Sequence, residues 1–347
     1  MRILLTGNLG YVGPVVAAHL RTAIPAAWLV GLDVGFFANC LTTPLASPER
    51  HLDCHYFADV RRVPDDLLRG IDAVIHLAAI SNDPMGNTFE NVTMDVNSAA
   101  SLALARKARA AGARAFAYAS SCSVYGFAED GARNEDSSLN PLTAYARSKV
   151  ATEEGLKAIA GPDFLVTCLR FATACGFSPR LRLDLVLNDF VASALALKRI
   201  DILSDGTPWR PLINVSDMAR ALEWALTRSR AAGGDYLIVN AGSSRWNYQV
   251  RDLARAVQRV MPDVQVNINP NAQPDKRSYR VDFARFERLA PSHQPVRELE
   301  ESIREIKTGL ENVGFADPDF RNSRLIRLKV LSALRADGLL TEDLYWK

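Results

Sequence analysis

A glycine-rich turn between an apolar run and an amphipathic stretch constrains the fold of this chain more than any other sequence feature. Residues 1–5 (MRILL) have the character of a buried parallel strand, and residues 6–13 (TGNLGYVG) follow at once. Val15, Val16 and Leu20 then recur at helical spacing. Strand, glycine turn and helix together predict a dinucleotide site, in which backbone amides at a helix N-terminus bind a pyrophosphate. An ordinary glycine loop is the alternative. The candidate cofactor residues of the turn are Gly7, Gly10, Tyr11, Val12 and Gly13.

An acidic residue stands at the position where such a site receives the adenosine ribose. The second predicted strand, residues 28–32, ends at Asp33, about 20 residues past the turn. A carboxylate there would accept hydrogen bonds from ribose hydroxyls and repel a 2′-phosphate, so Asp33 favours NAD over NADP. A solvated loop aspartate is the alternative. Asp59 and Val60 are candidates for the adenine region, or plain loop residues.

Strands and helices alternate along the first two thirds of the chain. This alternation predicts an α/β fold, a Rossmann-like doubly wound parallel sheet. The further strands are predicted at 73–77, 115–120, 164–169 and 235–240, and the helices at 99–111 and 145–160. Because ligands bind beyond the carboxyl ends of such strands, the residues that follow them should gather at one edge. These residues are Gly7, Asp33, Ala78, Ser121 and Thr173.

From about residue 171, frequent prolines break the regular pattern. We expect an NAD-binding domain at 1–170, to which 212–242 return, and a smaller C-terminal substrate-binding domain formed by 171–211 and 243–347. Residues 324–334 predict an amphipathic helix with no assigned chemistry.

Composition excludes several classes of protein. The net charge of +2, from 41 basic and 39 acidic residues, gives no broad field for nucleic acid. No apolar run approaches the roughly 20 residues of a membrane span, and the first strand begins too early to leave room for a targeting segment. Five cysteines without C-x-x-C spacing, and scattered histidines, indicate reduced thiols and no metal site. A cytoplasmic protein that binds neither membrane nor nucleic acid is therefore expected.

Tyr145 and Lys149 lie four residues apart on a predicted helix, with Ser121 24 residues upstream. This spacing places an ammonium and a phenol on one helix face. A free phenol has a pKa near 10, and a neighbouring positive charge should lower the pKa of Tyr145 towards neutrality. Such a tyrosine is a candidate general base for a carbinol proton. An ordinary pair on an exposed helix face is the alternative.

Several motifs together resemble those of the extended short-chain dehydrogenase/reductases, and within them the nucleotide-sugar epimerase/dehydratase branch. The resemblance covers roughly residues 1–285. Its motifs are TGNLGYVG (6–13), HLAA (76–79), SSCSVYG (120–126), YARSK (145–149), LRFAT (169–173) and SDGTPWRPLINVSD (204–217).

The resemblance implies roles for individual residues. Ser121 would hydrogen-bond the sugar oxygen that is oxidised or reduced, Tyr145 would be the acid/base, and Lys149 would bind the nicotinamide ribose. Leu77, Ala78, Ala79 and Asn97 would lie near NAD, although a buried structural role for Asn97 stays open. The implied substrate residues are Ser123, Thr173, Asn188 as a base or phosphate contact, Arg210 as the diphosphate clamp, and Arg277 and Arg280 as a second diphosphate contact. Surface roles remain open for Asn188, Arg277 and Arg280.

Two departures from the family pattern narrow the chemistry. Cys122 and Ser123 stand where dehydratases of the family carry an acidic pair, which disfavours 4,6-dehydration. Thr173 stands where many epimerases have asparagine, which puts simple UDP-galactose chemistry in doubt. Cys122 is either an acid/base beside a carbonyl or a buried small residue.

The favoured function is an NAD-dependent epimerase that oxidises and reduces C4 of a diphosphate-linked sugar through a keto intermediate. A nucleotide-sugar ketoreductase or dehydrogenase is the alternative, ahead of a 4,6-dehydratase; a non-catalytic NAD-binding sensor or scaffold is the alternative from another class. By resemblance, a homodimer through the helices at 97–111 and 145–160 is expected.

Overall fold

The computed structural model describes residues 1–43, 47–128, 131–269, 271–272 and 278–347. Within them the strands are β1 (Arg2–Thr6), β2 (Trp28–Asp33), β3 (Cys54–Phe57), β4 (Ala73–His76), β5 (Ala115–Ser121), β6 (Ala132–Arg133), β7 (Leu165–Phe171), β8 (Thr173–Cys175), β9 (Arg199–Ile202), β10 (Trp209–Asn214), β11 (Tyr236–Ala241), β12 (Asn247–Gln249), β13 (Gln265–Ile268) and β14 (Arg280–Val281).

The helices of the described residues are α1 (Gly13–Ala23), α2 (Asp65–Leu68), α3 (Asp83–Thr88), α4 (Glu90–Met94), α5 (Ser101–Ala110), α6 (Ala144–Lys157), α7 (Val186–Leu197), α8 (Val215–Thr227), α9 (Val250–Val260), α10 (Ala284–Leu289), α11 (Leu299–Asn312) and α12 (Arg327–Ala336). A π-helical segment, Asp95–Ala100, joins α4 to α5.

The central sheet has seven strands in the order β3-β2-β1-β4-β5-β7-β11, and every pair is parallel. Apolar side chains alternate to both faces of β1: Ile3 and Leu5 join the core that includes α1 and α8, whereas Leu4 joins the core that includes α5 and α6. A sheet buried on both faces explains why the strands read as continuous apolar runs. The predicted Rossmann-like doubly wound fold is confirmed.

Smaller sheets and a separate apolar cluster lie beyond the central sheet. β10 pairs with β8 and β12, β9 pairs with β13, and β6 pairs with β14. α7, α9 and α11 pack against one another around an apolar core containing Leu187, Leu253 and Ile306. β11 returns to the central sheet, whereas β10 stays with the smaller one. The domain boundaries stay a prediction.

A buried ion pair connects α6 to the central sheet. Glu153 of α6 and Arg170 of β7 are 2 % and 3 % exposed, and an Arg170 nitrogen lies 2.6 Å from Glu153 Oε2. The Ser120 hydroxyl donates to Glu153 Oε1 at 2.6 Å. Arg170 also donates to the Tyr125 hydroxyl, which in turn donates to Asn240. One polar network therefore joins β5, β7, β11 and α6.

Replacing Glu153 with alanine should destabilise the protein strongly, because it leaves the Arg170 guanidinium buried without its carboxylate. We expect a loss of about 3–5 kcal/mol in the free energy of unfolding, measured by urea denaturation. Asp66→Ala is the control: it removes an ion pair with Arg69 in which both side chains are more than 80 % exposed, and such pairs contribute little. Equal losses in the two variants would contradict a structural role for the buried pair.

Candidate active site

A cavity of about 1120 Å³ runs along the carboxyl ends of the central strands into the C-terminal region. Most of the site residues predicted from sequence line it. They are Gly7, Gly10, Tyr11, Val12, Asp33, Asp59, Val60, Leu77, Ala78, Ala79, Ser121, Ser123, Tyr145, Lys149, Thr173 and Arg210.

Two glycines of the turn at one end of the cavity occupy positions where a side chain would not fit. Gly7 has a φ of +75°, and a Cβ there would lie 2.6 Å from the Ala78 backbone nitrogen. Gly13 does not line the cavity; a Cβ on it would lie 2.4 Å from Asn8 Cα, so it allows α1 to begin against the turn. A bare backbone at a helix N-terminus suits a pyrophosphate. The turn therefore fits a dinucleotide.

Asp33 is held at the end of β2 by backbone amides. Its two carboxylate oxygens accept separate hydrogen bonds, from Leu9 N at 3.0 Å and from Gly35 N at 2.8 Å. Burial raises the pKa of Asp33, and the two amides act in the opposite direction. The carboxylate lines the cavity in a fixed orientation, as a ribose contact requires.

Asp59 lies next to Asp33 along the same edge of the sheet. It caps a short turn, accepting hydrogen bonds from Arg61 N at 2.8 Å and from the Arg61 guanidinium at 2.6 Å. Val60 lines the cavity beside it. Arg61 itself also lines the cavity, and the sequence analysis did not include it.

The three predicted catalytic residues meet in the middle of the cavity. Ser121 ends β5, while Tyr145 and Lys149 lie one turn apart on α6. The Ser121 side chain lies close enough to the Tyr145 phenol to lower its pKa. Lys149 Nζ donates to the Ala119 carbonyl at 2.7 Å and lies 5.5 Å from the centre of the Tyr145 ring.

The electrostatics of this group differ from the sequence expectation. Burial raises the pKa of Tyr145 to about 12, although the neighbouring Ser121 side chain and the charge of Arg182 act to lower it. Burial also lowers the pKa of Lys149 to about 7, against the attraction of Glu153. The expected lowering of the Tyr145 pKa by Lys149 is therefore wrong, because desolvation dominates at both groups.

Arg182 is a cavity residue that the sequence analysis missed. Its guanidinium donates to Asp184 at 3.0 and 2.8 Å and to the Ser81 hydroxyl at 3.0 Å. Asn82 donates to the same carboxylate. Arg182 belongs to no motif with a recognisable spacing, so only the folded chain brings its charge close to Tyr145.

The predicted substrate residues do not all reach the cavity. Thr173 and Arg210 line it, and so does Ser123, whose buried Oγ has no hydrogen-bond partner among the described residues. Arg280 is exposed and lies over the Trp209 ring instead. Arg277 falls outside the described residues.

The side chains of two asparagines predicted as site residues form hydrogen bonds inside the protein. Asn97 exchanges hydrogen bonds with the Ile80 backbone and donates to Ser148. Asn188 accepts from Gly176 N and donates to the Arg182 carbonyl. Neither lines the cavity.

Cys122 is also closed off from the cavity. It is fully buried, donates to the Arg170 carbonyl at 3.1 Å, and burial raises its thiol pKa. Its surroundings match the alternative of a small buried residue rather than that of an acid/base.

The described part of the chain contains neither a metal-binding cluster nor a membrane-spanning helix. No group of three or more histidine, cysteine or carboxylate side chains there is arranged to hold a metal ion. No helix in those same ranges is long and apolar enough to cross a membrane.

Fold and cavity thus define a Rossmann-type enzyme with a dinucleotide site, and comparison with known proteins gives its family. Residues 3–242 match the model of the NAD dependent epimerase/dehydratase family, to which this chain therefore belongs. The predicted resemblance, enzyme class and NAD cofactor are confirmed.

Individual relatives of the chain include epimerases and a dehydratase. A UDP-glucose 4-epimerase of Azospirillum brasilense is 30% identical over 75% of this chain and 77% of its own length. A UDP-glucose 4-epimerase of Streptomyces lividans is 29% identical over 75% of this chain and 80% of its own length. The solved structure of an NAD-dependent NDP-hexosamine 5,6-dehydratase of tunicamycin biosynthesis superposes with a TM-score of 0.77 at 25% identity, covering 92% of this chain and 99% of that one.

Lys149→Met should make the protein without cofactor more stable at low pH. The folded pKa of Lys149, about 7, lies below its ordinary value of 10.5, so between these values the unfolded chain binds a proton that the folded chain does not. Stability of the wild type therefore rises with pH across this window. The difference in melting temperature between the variant and the wild type should therefore be largest below about pH 7 and shrink towards about pH 10. It is measured by thermal unfolding of both proteins across this pH range. Parallel curves for the two proteins would contradict it.

Proposed function

We propose that this protein is an NAD-dependent nucleotide-sugar epimerase that acts at C4 through a keto intermediate. The observation that carries the proposal is the convergence of Ser121, Tyr145 and Lys149 on a cavity that also contains the glycine turn and Arg210. The similarity to two UDP-glucose 4-epimerases supports it.

In the proposed reaction, the sugar hydroxyl lies against Tyr145, which accepts its proton as the phenolate. Ser121, whose side chain lies beside Tyr145, would share the reacting oxygen and so fix the position of the sugar. Bound NAD supplies the hydride acceptor and a positively charged ring. The keto sugar would then rotate in the cavity, so that the hydride returns to the opposite face of its carbonyl carbon. Tyr145 would give the proton back to the carbonyl oxygen, which completes the other epimer.

Charges of both signs act on the pKa of Tyr145: Asp83 raises it and Arg182 lowers it. With a pKa of about 12, Tyr145 is protonated near neutral pH and cannot accept a proton in that form. Ser121 and Arg182 both act to lower its pKa. Lys149 would hold the nicotinamide ribose. Arg210 would bind the diphosphate, since a guanidinium matches phosphate oxygens in a bidentate way.

A dehydratase is the second candidate, because one of the solved relatives is a 5,6-dehydratase. Elimination needs an acid and a base next to the catalytic hydroxyl. The residue after Ser121 is the buried Cys122, and the next is Ser123 with an unpaired hydroxyl among the described residues. This arrangement supports epimerisation over elimination. A pure NAD sensor or scaffold would need none of the catalytic hydroxyls.

The predicted homodimer and cytoplasmic location belong to the same proposal. α5 and α6 pack side by side, and Gly155 allows Leu102 to approach closely, since a Cβ there would lie 2.5 Å from Leu102 Cδ1. The outer surface of the pair carries the small side chains Ala103 and Ala110 among charged residues that include Arg106, Lys107 and Glu154. Small side chains support close contact with the same helices of a second copy.

Tyr145→Phe should lower the rate of epimerisation of the reactive nucleotide sugar by about 100- to 10,000-fold, because the proton acceptor is lost. The measurement is product analysis by NMR after incubation with a panel of nucleotide-diphosphate sugars. Tyr56→Phe is the matched control, since Tyr56 is exposed on β3 and does not line the cavity. Full activity of Tyr145→Phe would contradict the mechanism. Net consumption of NADH during conversion would favour the reductase, and loss of water from the sugar would favour the dehydratase.

A further inference from the structure

The chain continues past α12 into a segment that returns to the adenosine end of the cavity. We call residues 337–347 the C-terminal strap. They lie outside the residues that match the family model, which ends at 242. We propose that the strap closes the adenosine end of the cofactor site and slows the release of NAD. This goes beyond the epimerase proposal and holds whichever sugar reaction the enzyme performs.

The first attachment of the strap is to Arg61. The Arg61 side chain is 5 % exposed and donates to the carbonyls of Asp343 at 2.7 Å and Leu344 at 3.1 Å. Its guanidinium also lies over the Tyr345 ring, 3.5 Å from the centroid. Because Arg61 is bound to Asp59 as well, the strap is tied to the turn that follows β3.

The second attachment is to the loop that follows β2. Trp346 Nε1 donates to the Val34 carbonyl at 2.7 Å, and its ring lies 5.5 Å from that of Phe36. Val34 directly follows Asp33. The strap therefore spans the two loops at the edge of the sheet where a Rossmann fold receives adenosine.

Leu344 is the residue of the strap that lines the cavity. It lines the same cavity as Asp33 and Phe36, and it packs in an apolar cluster with Met85 and Phe89. Its φ is +56°, a left-handed conformation that is costly for a leucine and persists only where surrounding contacts hold it. Thr341 supplies those local contacts, through hydrogen bonds with Leu344 and Tyr345.

These contacts have a kinetic consequence. A ligand behind a segment fixed on two sides leaves only when that segment opens, so the contacts act on the dissociation rate. A cofactor regenerated in each turnover has no need to exchange, whereas a one-way reductase would have to open the strap in every cycle. A closed strap is therefore compatible with a hydride returned to the same sugar.

The test is the rate of NADH release from the protein without any sugar, followed by fluorescence. The double substitution Tyr345→Ala and Trp346→Ala removes the ring contact with Arg61 and the whole of the second attachment, leaving only the two hydrogen bonds from Arg61 to the strap backbone. Release should become about tenfold faster or more. Leu339→Ala is the matched control, because Leu339 belongs to the strap but its side chain is exposed and outside the cavity. Equal release rates in the double variant and the wild type would overturn the proposal.

Hydrogen exchange on the unchanged protein tests the same proposal without a variant. Because Leu344 lines the cavity, bound NAD would contact the closed strap and favour the closed state. Saturating NAD should therefore slow hydrogen exchange at the amides of Thr341, Leu344 and Tyr345. The amides of α11, which contributes no residue to the cavity lining, serve as the reference and should not change. Unaltered exchange in the strap would overturn the proposal. Since neither measurement involves sugar conversion, a failure here is distinct from a failure of the epimerase proposal.

Discussion

The buried ion pair between Glu153 and Arg170 is the interaction on which the rest of the site depends. Glu153 lies one turn past Lys149 and two turns past Tyr145 on α6, and it accepts a hydrogen bond from Ser120, the neighbour of Ser121. Arg170 fixes this carboxylate to β7. The pair therefore sets the position of α6, which carries Tyr145, relative to the strand that ends in Ser121. The geometry of the proposed catalytic group thus depends on the protein core.

Burial of the same region determines the chemistry available to it. Desolvation disfavours both the Tyr145 phenolate and the Lys149 ammonium, so each group prefers to be neutral. Proton transfer then depends on charges brought close to Tyr145, of which Arg182 is one on this chain. In the proposed mechanism, Tyr145 therefore becomes an effective base only once cofactor and substrate fill the site.

Periodicity and spacing predicted the parallel sheet, the glycine turn, Asp33 and the Tyr145–Lys149 pair, because each leaves a pattern over a short stretch of sequence. The role of Ser121 was implied by the family resemblance. The sequence could not reveal Arg182 or the C-terminal strap, since both reach the cavity through contacts between distant segments. The predicted direction of the Tyr145 pKa shift was wrong for a related reason. The spacing indicates a neighbouring charge but not the depth at which both groups are buried. Asn97 and Asn188 have hydrogen bonds inside the protein that no motif discloses.

The central claim is that the hydride removed from the sugar returns to the same molecule. The most direct measurement uses a nucleotide sugar with deuterium at C4, incubated with the enzyme and an excess of unlabelled NADH, followed by mass analysis of the epimerised product. Retention of the deuterium in the product is the predicted result. Replacement of the label by hydrogen from the free NADH pool would contradict the account.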